Sequence, residues 1–149
     1  MIDILKVLIF SMLPIVEIRG GIPLGLSLNF SPVEAFVISA IGNIAVIFPL
    51  IVTLNLLDPY FRKIPGIKLI YHKAIDRVIS KRDKYLKYGK YALFFFVAIP
   101  FPTTGAWTAS LASYIFQIPI KDSLWIISAG VFTSGLIVLV LSTTTISFI

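Results

Sequence analysis

Cysteine is absent from the 149 residues, and histidine occurs once, as His72. Disulfides, thiolate nucleophiles and any Cys/His metal cluster are thereby excluded. Charge is also scarce. Charged residues make up 13% of the chain, against roughly 25% in an ordinary soluble domain. No Gly-x-Ser-x-Gly turn, intramembrane aspartate pair or phosphate-binding loop is present, which argues against an enzyme and against an ATP-driven pump. Neither a cofactor nor a metal is expected. What fills the chain instead is apolar: 58% of residues are hydrophobic, and the mean hydropathy is +0.97. So little polar surface cannot cover a water-soluble globule. The chain reads as a single all-α domain in the cell membrane, crossing it more than once.

The few charges are unevenly placed. Residues 62–90 hold ten of the thirteen Lys/Arg, with only Asp76 and Asp83 among them. Under the positive-inside rule this stretch is cytoplasmic. After Pro65-Gly66, apolar residues recur at Ile67, Ile70, Tyr71, Ala74, Ile75, Val78 and Ile79, and again at Tyr85 and Leu86. That is helical spacing with a basic opposite face, so 60–90 reads as an amphipathic helix lying on anionic lipid. A soluble connector whose charges only set topology is the alternative. No interleaved motif accompanies the charge, so no nucleic-acid partner is expected. The first residues, with Asp3 and Lys6 ahead of Val7–Phe10 and no small-residue cleavage site, do not read as a secretory signal.

Two apolar segments, 33–57 and 122–148, are each long enough to cross a hydrocarbon core of ~30 Å, which takes about 20 helical residues. Pro49 marks a candidate kink in the first, and Asn43 is a polar outlier inside it. The other two segments, 1–30 and 91–117, are interrupted by proline, glycine and polar residues around Glu17–Pro23 and Pro100–Gly105. Each arm has a dozen residues or fewer, a reach of about 18 Å at ~1.5 Å per residue, near the bilayer midplane. This is the pattern of a re-entrant hairpin. The order is then hairpin, span, basic segment, hairpin, span: two inverted repeats whose tips meet at mid-depth, a transporter architecture. Matching proline turns at Ser31-Pro32 and Ile118-Pro119, and the pairs Ser39-Ala40 and Ser128-Ala129, agree with a repeat. The competing topology makes all four segments full spans.

The stretch Leu13-Pro-Ile-Val-Glu-Ile-Arg-Gly-Gly-Ile-Pro-Leu-Gly25 and the stretch Ile99-Pro-Phe-Pro-Thr-Thr-Gly-Ala-Trp-Thr-Ala-Ser-Leu111 resemble the small multidrug export protein family. Its signatures look like Glu-x-Arg followed by two small residues, x and Pro, and like Pro-x-Pro-x-Thr-Gly-Ala-Trp. The resemblance runs over nearly the whole chain. More distantly, it implies a likeness to the DedA/VTT membrane proteins, with facing re-entrant hairpins and a role in moving lipids. The second hairpin departs from the DedA pattern, having no charge between Tyr91 and Pro119.

A charged residue at bilayer depth costs roughly 2.5–3.5 kcal/mol on insertion scales, so Glu17 and Arg19 need partners or water. At i and i+2 of an extended tip they would point apart. The functional reading gives Glu17 a proton-carrying role and Arg19 an anionic group to hold; the structural alternative makes them helix caps or a packing pair. Pro23 suits the first turn of one returning arm, and Thr103 or Thr104 can N-cap the other. Helix N-termini aimed at the midplane favour phosphate or carboxylate. Gly20, Gly21, Gly25 and Gly105 allow close approach or unusual backbone, and Gly21-x-x-x-Gly25 can pack helices. Trp107 either lies over a ligand or fills the bundle. The candidate site is thus Glu17, Arg19, Gly20, Gly21, Pro23, Asn43, Pro100, Pro102, Thr103, Thr104, Gly105 and Trp107. The leading expectation is a transporter or lipid translocator for an amphipathic anionic or phosphate-bearing substrate, with protons coupled through Glu17. The alternatives are a drug/proton antiporter for hydrophobic cations and a non-transporting membrane assembly subunit. Membrane lipids are the expected surroundings. Because four short segments make a thin wall, a homodimer is expected.

Overall fold

The structure is a computed structural model describing residues 1–61, 82–101 and 104–147. Most of the basic segment, with Pro65-Gly66 and His72, lies outside the described residues, as do Pro102 and Thr103. Every element among the described residues is helical: α1 (Ile2–Met12), α2 (Glu17–Ser27), α3 (Pro32–Phe61), α4 (Arg82–Ala98), α5 (Ala106–Ile115) and α6 (Ile120–Ser147).

The first segment is two helices of 11 residues each, not one continuous helix. At ~1.5 Å per residue each is about 16 Å long, half of a bilayer core. The break falls earlier than the Glu17–Pro23 motif, at Leu13–Val16. Pro14 is the reason: it disfavours helical geometry at the residue before it, and Leu13 is extended (ψ 140). A single turn, with the Glu17 N–H donating to Leu13 O at 3.0 Å, then reverses the chain. Glu17 opens α2 with φ 52, a left-handed value. Pro23 therefore lies inside α2 rather than in its first turn. It cannot donate to the carbonyl four residues back, a cost the short helix carries.

The two returning helices end alike. Asn29 (φ 64) and Gln117 (φ 54) take the left-handed position just past α2 and α5. Phe30 N–H donates to Gly25 O at 3.1 Å and Ile118 N–H to Ser113 O at 3.0 Å, the long bond of a Schellman motif in each case. Proline follows both times, as Pro32 at the first position of α3 and as Pro119 just ahead of α6. At α3 the start is reinforced by a capping box: Ser31 N–H donates to Glu34 Oε2 at 2.9 Å and Glu34 N–H to Ser31 Oγ at 3.3 Å.

Helices α3 and α6 contain stretches, Pro32–Leu57 and Ile120–Thr145, that are long and apolar enough to cross a membrane. α3 continues through Pro49 without a break. α4 runs unbroken from Arg82 to Ala98.

Glycine contacts fix the packing directions. A Cβ on Gly21 would strike Ser11 and come within 2.7 Å of Ser39 Oγ; one on Gly25 would lie 2.7 Å from Ala35 Cβ and 3.8 Å from Val7. Gly21-x-x-x-Gly25 thus packs inside the chain, with α2 antiparallel to both α1 and α3. Gly42 of α3 abuts the backbone carbonyl of Leu8, and Gly130 of α6 abuts Val97 and the carbonyl of Phe94. Each long helix therefore receives the first arm of its own half at a glycine. Ile18 packs on Gly135, and Pro23, Leu26 and Ser27 share a groove of about 550 Å³ with Leu141, Ser142 and Thr145. α2 is thus parallel to α6, and α3 antiparallel to it. Phe36 and Phe132 meet edge to face where α3 and α6 cross, 5.0 Å between ring centres. Ile18, Ile22, Ile47, Val97, Ile127 and Val131 fill the interior around that crossing.

Candidate functional site

The two breaks meet. Reversal at Leu13–Val16 presents Glu17 to the start of α5, where the first turn leaves backbone N–H groups without helical acceptors. Trp107 N–H donates to Glu17 Oε1 at 3.2 Å, and Ala106 N–H also faces that carboxylate. Glu17 is 5% exposed. Its carboxylate so fills the corner that a Cβ on Gly105 would overlap it, and any side chain there would push the carboxylate aside. The N-cap of α5 is Gly105, not Thr103 or Thr104. Its own N–H donates to Thr108 Oγ1 at 3.0 Å.

Arg19 approaches the same carboxylate from its own helix, with Nη2 3.8 Å from Glu17 Oε2. The expectation that the two point apart is thus corrected. They lie on the first turn of α2 rather than in an extended tip, and the left-handed φ at Glu17 turns its side chain inward. Arg19 Nη2 also donates to Thr104 Oγ1 at 3.5 Å, a long bond. The Thr104 hydroxyl in turn lies 3.0 Å from Ile99 O and 3.2 Å from Phe101 O, bracing the second break. Pro100 sits in that break, half-buried. Arg19 Nε is buried and has no partner among the described residues.

Trp107 does more than fill space. Its indole Nε1–H donates to Met12 O at 2.9 Å, a carbonyl freed by the end of α1. Glu17 and Met12 thereby both accept from Trp107, one from its backbone N–H and one from its indole, in the first turn of α5.

The structure brings Glu17, Arg19, Thr104, Gly105 and Trp107 to one place. Gly20 packs against Val16 and Phe10, and Gly21 against Ser11 and Ser39, so both serve the α1–α2–α3 contact. Pro23 is exposed and lines the α2–α6 groove, away from the tip, because it stands two turns along α2. Asn43 is fully buried, and neither its Oδ1 nor its Nδ2 has a partner among the described residues. An unpaired amide in an apolar interior costs roughly 2–7 kcal/mol, depending on the reference state. Ser39 and Ser134 are likewise buried with unpartnered hydroxyls. Met12, Ala106 and Thr108 went unnoticed in the sequence. The first two act through backbone atoms, which carry no residue signature. No group of His, Cys, Asp or Glu among the described residues can hold a metal ion.

One family, described as "Putative small multi-drug export protein", matches residues 17–137. Neither the curated proteins nor the solved structures give a significant match.

Proposed function

The chain belongs to the small multi-drug export family, a family of membrane transporters rather than an enzyme class, and from that premise we propose a secondary transporter or lipid translocator for amphipathic anions. Its substrate carries a phosphate or carboxylate and passes the point where the two breaks touch. In this reading α1–α2 and α4–α5 are hairpins entering the bilayer from opposite faces, and the halves are inverted repeats. The matching Schellman ends, the prolines at the head of each long helix, the glycine crossings at Gly42 and Gly130, and the antiparallel run of α3 and α6 support that reading.

The observation that carries the substrate class is the place taken by the Glu17 carboxylate. A carboxylate already occupies the start of α5, between two backbone N–H groups and the Arg19 guanidinium. Donors that hold one carboxylate suit another anion of similar size. When Glu17 takes up a proton it loses its hold, and the N–H groups and Arg19 become free for the substrate's anionic group. When the anion leaves, Glu17 returns and releases the proton. Proton and anion then move together.

Glu17→Gln and Arg19→Ala, reconstituted in liposomes, are expected to fold and to lose proton-coupled uptake of an amphipathic phosphate. Wild-type rates in both would remove the mechanism. One observation favours a second reading: Arg19 stands at the long distance of 3.8 Å, leaving the carboxylate incompletely neutralised and able to receive a hydrophobic cation in exchange for a proton. The family's description fits this reading. Competition between protons and a cationic dye, abolished by Glu17→Gln, would favour the antiporter over the anion carrier.

A further inference from the structure

Asn43 has no role in the mechanism above, yet its surroundings give it one. The packing of α2 on α3 has a clear register. Gly25 sits on Ala35 and Gly21 on Ser39, each pair four residues from the last along antiparallel helices. One further turn pairs residue 17 with residue 43, so Asn43 stands level with Glu17. Ser39 precedes it by one turn on the same face of α3. Both residues are fully buried, and the Ser39 hydroxyl and both polar atoms of the Asn43 amide lack partners among the described residues. A leucine or isoleucine would serve packing here, as Ile47 and Ile51 do on the following turns of the same face. Instead the helix presents a free donor, a free acceptor and a hydroxyl beside the anion-holding corner. Native interiors do not leave such groups unsatisfied without reason.

We propose that Asn43 and Ser39 form an uncharged subsite next to Glu17. It takes a neutral group that both gives and accepts a hydrogen bond, namely a hydroxyl supplied by the substrate or by water when no substrate is present. A cation would satisfy only the oxygens and leave the amide Nδ2 unpaired, so the amide favours a hydroxyl. The substrate half of this assignment rests on the anion-site reading, whereas the hydration half does not. Together they narrow the substrate to an amphipathic anion with a hydroxyl close to its acidic group.

The cysteine-free chain provides the test. Single Asn43→Cys and Ile47→Cys proteins in liposomes are treated with a small hydrophilic methanethiosulfonate. A thiol reacts as its thiolate, which needs water. Asn43→Cys is expected to label at least about tenfold faster than Ile47→Cys, both positions being fully buried in the structure. Ser39→Cys, nearly isosteric, stands in if the first variant does not fold. Equal inertness of the position-43 (or position-39) thiol and the position-47 thiol would overturn the subsite.

The source of the hydroxyl is read by binding glycerol 3-phosphate and propyl phosphate, which share an anion and differ in hydroxyls. Tighter binding of glycerol 3-phosphate by the wild type, lost in Asn43→Leu, assigns the hydroxyl to the substrate. Equal binding of the two, alongside fast labelling of the Asn43→Cys protein, leaves the subsite to water and overturns its substrate half. If neither phosphate binds, the anion-site reading fails, while the labelling result still decides the hydrated subsite.

Discussion

The two breaks meet with opposite chemistry. The first, Leu13–Val16, leads into a helix that starts with an acid and a guanidinium. The second, from Ile99 to Gly105, has no charge, and its described part offers a threonine hydroxyl and the bare N–H groups of α5. Neither is a site alone. A buried carboxylate without donors would be expensive, and a helix start without an acceptor would leave orphan N–H groups. Each break supplies what the other lacks, so the contact between them serves packing as well as any transport.

The comparison breaks most severely at Arg19. Arg19→Ala leaves the Glu17 carboxylate held only by α5 N–H groups. We expect a loss of about 3 kcal/mol, the low end for removing one member of a buried pair, because 3.8 Å is a long ion pair. Thermal melts in detergent would read it, and the double variant Glu17→Gln/Arg19→Ala should recover part of the loss. No recovery would mean the two charges are not coupled.

Glycine-to-alanine exchange compares the two halves where each long helix receives its own first arm. Gly42→Ala drives a methyl into the Leu8 carbonyl, which is backbone and cannot step aside; at Gly130 the nearest atoms belong to the Val97 side chain. Both should destabilise, by about 1–3 kcal/mol, with Gly42→Ala the worse. A reversed order in melting temperature would show that the first half yields more readily than its contacts imply.

The smallest effect should come from Trp107→Phe, which keeps an aromatic ring and deletes the 2.9 Å bond to Met12 O. About 1 kcal/mol of stability is at stake, the usual net worth of one hydrogen bond. If transport quickens while stability falls, that bond latches the two breaks together; an unchanged rate would make it purely structural.

Much of this was legible from residue order, and the reasons differ by element. The two long helices could be read because apolar runs of that length have few other uses. The interruption of the first segment was legible from its prolines and glycines, but its position was not. The motif drew attention to Glu17–Pro23, while the backbone reverses at Pro14, a residue with no chemistry to advertise. The pairing of Glu17 with Arg19 stood in the sequence only as the structural alternative, for the same reason. It follows from where α2 begins, and a shift of four residues changes which side chains share a face.

Composition and pattern by themselves determined the membrane solvent, the two spanning-length helices, the broken segments and the family. These depend on local hydrophobicity and on proline and glycine, which act within a turn or two of chain. Tertiary packing alone decided that Glu17 caps a helix some ninety residues away, that its carboxylate lies against Gly105, and that Asn43 is buried without a partner among the described residues. Backbone N–H groups and close contacts between distant helices carry that information, and neither has a letter in the sequence.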